Sequence, residues 1–382
     1  MIKMDQKTFN SKIQDITIKK IDVIPLSIPL ENQTVTVSRR ALKTRGFALV
    51  RIQSDEGLEG NGVVGISNSL AVSAIAKHEL YPLLIGENIF SYQSLWEKMY
   101  NEVYRDRKGA AIRAISAVDI ALWDLIGKTL NLPLYKLLGG SDNKVKCYAS
   151  GGYYHVGKKL KGLSQEMEGY ISAGFKAVKM KIGKLSIEKD LERIQTVRKT
   201  VGSEVILMVD ANNAYTKSEA IKLARKMERH DVYWFEEPLH VEDISGSAEL
   251  VRTLDVPIAA GELEYTRYGF RELIENKAID IIQPDVQTIG GVTEWLKVAA
   301  LGNTFSLPIA PHWAQETHMH LVAATPNSEW LEFFVPENGI RTEDKIYKDN
   351  LTTKNSFLHI PNKPGFGYEI NEKAIQKYRI KY

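Results

Sequence analysis

Along the second half of the chain, short apolar runs alternate with longer amphipathic stretches. KAVKMKIG, VILMVDAN, VYWFEEP and VPIAAGE each end abruptly at a charged residue or a glycine, the pattern of strands buried on both faces. Between them, SIEKDLERIQTVRKTVG and TKSEAIKLARKMERH place apolar residues at helical spacing on one face. Strand, helix, strand at a fixed interval predicts parallel strands joined by crossover helices. Strands are predicted near 145–150, 176–181, 205–210, 232–236, 257–261, 279–283, 306–310 and 329–332. If that sheet closes into a barrel, every strand delivers its C-terminal end to one mouth.

The first part of the chain follows a different order. ITIKKIDVIPLSIPL and GFALVRIQSDEGLEGNGVV read as strands with a hairpin at DEGLEG, and residues 68–138 read as helices stopped by Gly139 and Gly140. The chain therefore divides into an N-terminal α+β domain (1–140), a barrel (141–340) and a turn-rich segment (341–382) that returns to the first domain. Asp119 and Asp124, inside the last helical pattern, read as buried hydrogen-bonding residues between domains. The polar stretch ENQTVTVSRRALKTR, with Arg39, Arg40, Lys43 and Arg45, reads as either a recognition loop or a solvated one.

Composition narrows the function classes. At 382 residues with a net charge of +3 the chain carries no basic tract, which argues against nucleic-acid binding. No stretch approaches the roughly 18 apolar residues of a membrane span, and the first residues lack the apolar core of a signal peptide. A single cysteine, Cys147, forms no internal disulfide and suits a reducing compartment, so a cytoplasmic protein is expected.

The candidate chemistry sits where the apolar runs stop. Asp210, Glu236 and Glu262 follow one another at an interval of 26 residues, one strand–helix unit. Acids converging on one mouth repel unless a cation lies between them, and oxygen ligands point to Mg²⁺, with Mn²⁺ as the alternative. Lys179 and Lys181 flank Met180 and so share the inward face. Their mutual repulsion, with a cation nearby, is expected to lower the pKa of at least one of them, as a lysine base requires. Asp285, His312 and Glu332 end later runs. His312 taken alone reads as a packed or capping residue, but next to Asp285 it reads as an oriented base.

KMKIG, VDANN, FEEP, GE, QPD followed by GG, and PHW with HLVAATPNSEWLE resemble the enolase superfamily, within it the mandelate racemase subgroup (mandelate racemase/muconate lactonizing enzyme). SAVDIALWDLIGK and LPLYKLLGG extend the resemblance into the first domain. The resemblance implies an α/β fold, a modified TIM barrel (β/α)7β with an N-terminal α+β capping domain. It also implies Mg²⁺ on Asp210, Glu236 and Glu262, bound to the carboxylate of a small substrate whose α-proton is removed to give an enediolate. Lys181 is implied as the base on one face and His312, oriented by Asp285, as its counterpart on the other. Glu332 would donate a hydrogen bond to the enediolate, Lys179 would neutralise carboxylate charge, and Asn212 would touch the substrate or a metal-bound water. Symmetric assemblies, dimer to octamer, are common in such families.

This catalytic set permits racemisation, if a proton returns to the α-carbon, or dehydration, if a β-hydroxyl leaves. The polar loop with Arg39 and Arg40, the SGGYYH segment holding Tyr154, and PHWAQETHMHLVAA look most like acid-sugar dehydratases of the galactarate and talarate type. Arg39, Arg40, Tyr154 and Asn212 are thus the expected substrate-binding residues. A racemase or epimerase of a 2-hydroxy acid, another lyase or cycloisomerase, and a non-catalytic binding protein on the same fold are the alternatives.

Overall fold

The computed structural model describes residues 15–30, 35–36, 41–66, 68–155 and 157–381. Its first domain is an antiparallel sheet of β1 (Ile18–Pro29), β2 (Thr44–Ser54) and β3 (Glu59–Ile66), with β2 in the middle. The helix α1 (Ala110–Thr129) lies across β3 so closely that a Cβ at Gly60 or Gly62 would come within 2.1 Å of the Ala121 or Ala117 carbonyl oxygen. Only glycine permits that approach.

The barrel strands are β4 (Lys144–Gly151), β5 (Ala177–Lys181), β6 (Ile206–Asp210), β7 (Val232–Glu236), β8 (Ile258–Ala260), β9 (Ile281–Ile282) and β10 (Leu331–Phe333). Neighbours from β4 to β9 pair in sequence order, and β10 pairs with β4. The predicted strand at 306–310 is reduced to Ile309, which bridges Ile282 on one side and Ser328 on the other and so closes the ring. Pro308 and Pro311 flank it and offer no N–H, which limits the ladder to that residue.

Helices cover the outside. α2 (Ile187–Val201) starts at Ser186, whose side chain accepts from Lys189 N, and α3 (Lys217–Met227) starts with a Thr216–Glu219 capping box. Both follow their strand within a few residues, so the strand ends are held at a fixed height. Among the described residues, no helix is long and apolar enough to cross a membrane.

Buried acids hold the two domains together. Asp119 on α1 accepts from the Thr293 backbone N–H (2.9 Å) and hydroxyl (2.6 Å). Asp124 accepts from Asn61 N on β3 (2.9 Å) and from Phe366 N in the C-terminal segment (3.0 Å). That segment also pairs Phe357–His359 with β4 and returns Ile380 N to Pro25 O at 2.9 Å. The barrel mouth is thereby closed against the first domain over a cavity of about 1000 Å³.

Candidate active site

Side chains pointing into the barrel form two layers. The lower is apolar, built from Tyr148, Ala177, Met208, Trp234, Ala259, Ile281, Ala310 and Trp330. Two residues further along the same faces stand Lys179, Asp210, Glu236, Gln283, His312 and Glu332, because side chains alternate along a strand. The apolar floor excludes water from below, so charges in the upper layer interact at low dielectric.

Asp210, Glu236 and Glu262 each present an oxygen to a common point, those atoms lying within 4.8 Å of one another. Lys179 sits beneath, 2.7 Å from Glu236 Oε1, 2.9 Å from Glu332 Oε1 and 3.7 Å from Asp210 Oδ2. Gln283 Nε2 and Trp234 Nε1 also donate to Glu236 Oε2, at 2.8 and 3.1 Å. Lys181 pairs with Asp210 and opens onto the cavity, whose wall includes Asn212, Glu262, Asp285 and His312. His312 Nδ1 is 3.0 Å from Asp285 Oδ2, and its Nε2 is 3.5 Å from Glu262 Oε2. Asp285 Oδ1 is held in turn by Gln287 N–H at 2.8 Å.

The cluster has a surplus of negative charge. Asp210, Glu236, Glu262 and Glu332 outnumber the ammoniums of Lys179 and Lys181, and Glu237 and Asp285 add two further buried carboxylates against the one imidazole of His312. Burial, with Asp210 beside it, accordingly pushes Glu236 up to about 8. Glu262 is also raised, by burial first, and its Oε2 is buried with no hydrogen-bond donor. Three converging carboxylates with an unsatisfied oxygen fit a hard cation such as Mg²⁺.

The lysines depart from expectation. Burial is the largest single influence and disfavours the ammonium, but the surrounding groups together outweigh it, Asp210 first among them for Lys181 and Glu236 then Glu332 for Lys179, so both are raised. The repulsion between the two lysines, expected to lower one of them, is outweighed by the carboxylates around them. Glu332, which burial would raise, is instead held down to about 2 by Lys179 and His312. It is therefore a carboxylate here and accepts from Trp313 N–H at 2.7 Å.

One further position differs from the sequence reading. Tyr154 faces away from the cavity and donates to Asp190 Oδ1 at 2.6 Å, while Tyr153 takes the place at the wall. Gly152, at φ +65°, breaks the strand alternation and shifts the following residues by one face. Arg39 and Arg40 lie outside the described residues. Arg45, from the same polar stretch, lines the cavity with its guanidinium 4.4 Å above the Trp313 ring. Glu237, Gln283 and Trp313 were not singled out from the sequence; Gln283, two before Asp285, could have been found by alternation alone.

Residues 20–139 match the family described as mandelate racemase / muconate lactonizing enzyme, N-terminal domain, and residues 162–374 match that described as enolase C-terminal domain-like. An arabinonate dehydratase of Saccharolobus solfataricus is 40% identical over 90% of this chain and 95% of its own length. The L-talarate/galactarate dehydratase of Salmonella typhimurium LT2, solved with Mg and L-lyxarohydroxamate, superposes with a TM-score of 0.90. It is 30% identical, over all of this chain and 96% of that one. A racemase from Streptomyces coelicolor A3(2) with bound magnesium gives a TM-score of 0.89 at 29% identity, over 95% of this chain and all of that one.

Proposed function

The chain belongs to the mandelate racemase / muconate lactonizing enzyme family of the enolase superfamily, and from that premise we propose that it is a Mg²⁺-dependent acid-sugar dehydratase. The observation that carries the reading is the convergence of Asp210, Glu236 and Glu262 beside a cavity that Glu262, Lys181 and the Asp285–His312 pair line. The substrate is a small hydroxylated carboxylate, an aldonate or aldarate, and the product a 2-keto-3-deoxy acid.

Asp210, Glu236 and Glu262 would hold a magnesium ion, whose positive charge would offset the charge that builds up on the substrate carboxylate. Lys181 Nζ takes that proton on one face. His312 Nε2, with Nδ1 fixed on Asp285, gives a proton to the departing β-hydroxyl, which leaves as water; the enol then tautomerises to the ketone. Lys179 neutralises carboxylate charge from below. Glu332, once it has taken up a proton in the substrate complex, donates to the enediolate. Asn212 orients the substrate at the cavity wall.

A second reading, racemisation or epimerisation, draws on the same feature: proton-bearing groups flank the carboxylate cluster on both sides, and a magnesium-bound racemase shares the fold. Incubating the enzyme with Mg²⁺ in D₂O and a panel of aldonates and aldarates, including arabinonate, L-talarate and galactarate, tests both. Keto-acid formation supports dehydration; α-deuteration with inversion and no keto acid supports the racemase. Neither product across the panel overturns both readings and favours a binding protein. We also place the enzyme in the cytoplasm, on its one buried cysteine, and as a homo-oligomer, which sedimentation tests.

A further inference from the structure

Behind the His312 side of the cavity lies a buried carboxylate that touches none of the reacting groups. Glu343, in the C-terminal segment, is 1% exposed and accepts two hydrogen bonds at once: from Gln287 Nε2 at 2.9 Å on Oε1, and from Trp313 Nε1 at 2.8 Å on Oε2. Each donor leads to the chemistry by a short path. Gln287 gives its backbone N–H to Asp285 Oδ1, the oxygen opposite the one that holds His312, and its side-chain oxygen accepts Gly65 N–H of β3 at 2.8 Å. Trp313 gives its backbone N–H to Glu332, and its ring is stacked on His312 with centroids 6.0 Å apart.

Trp313 needs this support. Its φ of +63° is a left-handed conformation that a bulky residue adopts only where its surroundings impose it. Phe334 at 4.5 Å between centroids and the Arg45 guanidinium pack its ring, while among the described residues Glu343 is the partner that fixes the indole by a directed bond. Arg341 in turn holds the Glu343 carboxylate at 3.1 Å and is itself clamped by Glu316 at 3.0 and 2.7 Å.

We infer that Glu343 is a positioning residue for the His312 face of the site, setting the His312 ring through Gln287 and Asp285 and the Glu332 carboxylate through Trp313. The inference rests on the dehydratase reading for its kinetic consequence and on the hydrogen-bond network for its structural one. A carboxylate satisfies two donors, whereas a carboxamide at the same place satisfies one and turns an NH₂ toward the other. Glu343→Gln therefore breaks one bond. In the double variant Gln287→Glu/Glu343→Gln, residue 287 accepts from both Gly65 and residue 343, and residue 343 accepts from Trp313, so every bond returns with the charge moved.

The test uses full-length enzyme with Mg²⁺ and the acid sugar on which the wild type acts. Glu343→Gln is expected to slow β-elimination roughly 10- to 100-fold with KM little changed. Lys181-face α-deuteration in D₂O, which loses only the Glu332 contribution, should fall less than elimination, which also loses the His312 proton, so the ratio of exchange to elimination rises. The double variant should recover most of the loss. Equal loss of exchange and elimination, or a double variant as slow as the single, overturns the inference in favour of a purely structural charge opposite Arg341. If Glu343→Gln does not fold, Trp313→Phe removes the indole donor and is read by the same ratio. A crystal structure of the variant that folds decides without any substrate: displaced Trp313 and Glu332 side chains support the inference, and unmoved ones overturn it. If the wild type turns over no acid sugar, the dehydratase reading fails and the crystal structure alone decides the positioning role.

Discussion

Lys181 and Asp210 face one another in register across β5 and β6, and their buried side chains form an ion pair at the edge of the cavity. The Asp210 carboxylate helps raise the Lys181 pKa, and a cation on Asp210 would compete for the same carboxylate. Chelation should therefore leave a folded but inactive enzyme. Adding Mg²⁺ should restore turnover and raise the melting temperature as its concentration passes Kd, since a ligand of the native state alone stabilises it. Calorimetry with and without EDTA reads this, and an Asp210→Asn variant should lose both responses. An unchanged melting temperature on titration with Mg²⁺ would remove the cation site.

The two faces of the cavity can be separated. Lys181→Ala and His312→Asn should each lower dehydration by roughly 10²–10⁴-fold while the protein remains folded. Asp285→Asn keeps the shape but offers His312 an amide in place of a carboxylate, and a wrongly held imidazole costs on the order of 10⁴-fold in kcat. Circular dichroism with steady-state kinetics on the same preparations checks the three together. Near wild-type turnover in any of them would refute the assigned role.

What the sequence made legible followed from period and interval. The even spacing of Asp210, Glu236 and Glu262 reports one strand–helix unit each, and the alternation of Lys179 and Lys181 places both inward; these are local rules. The charge state of the lysines was not legible, because it depends on how many carboxylates meet them, a sum over four strands. Tyr154 was misplaced by one residue because the positive φ at Gly152 resets a two-residue alternation. The strand at 306–310 was overcounted because its apolar residues match the pattern while its prolines deny the ladder. Glu343 lies in a segment with no periodicity at all, and only the folded contacts connect it to Trp313.

Tyr154 gives a test of that correction. Its hydroxyl bonds the buried Asp190, which also accepts from Gly183 N (2.9 Å), and Arg193 lies 4.1 Å from its ring. Tyr154→Phe should thus cost roughly 1.5–3 kcal/mol of stability, the usual value of a hydrogen bond to a charged partner, and leave KM unmoved. Tyr153→Phe should do the reverse and change KM. Urea unfolding and kinetics on both variants distinguish them, and a raised KM for Tyr154→Phe would return that residue to the substrate.

His320 should make the protein acid-sensitive. It is fully buried, accepts from Tyr135 N–H on Nδ1 at 3.2 Å and stands 2.9 Å from the Phe366 carbonyl on Nε2, so its neutral Nε2–H tautomer satisfies both partners. Burial lowers its pKa to about 4, and a second proton would set Nδ1–H against the Tyr135 N–H. The sign follows from a folded pKa below the unfolded value of about 6.5. The stabilisation is complete above that value and drains away as pH falls toward 4, by about 3 kcal/mol at most. His320→Asn keeps an acceptor for Tyr135 but carries no titrating ring, so it should be less stable than the wild type at pH 7. Its deficit should shrink steadily between pH 6.5 and 4.5 in urea unfolding series. A gap between the two proteins that stays constant across that range would show that the imidazole does not change protonation on unfolding.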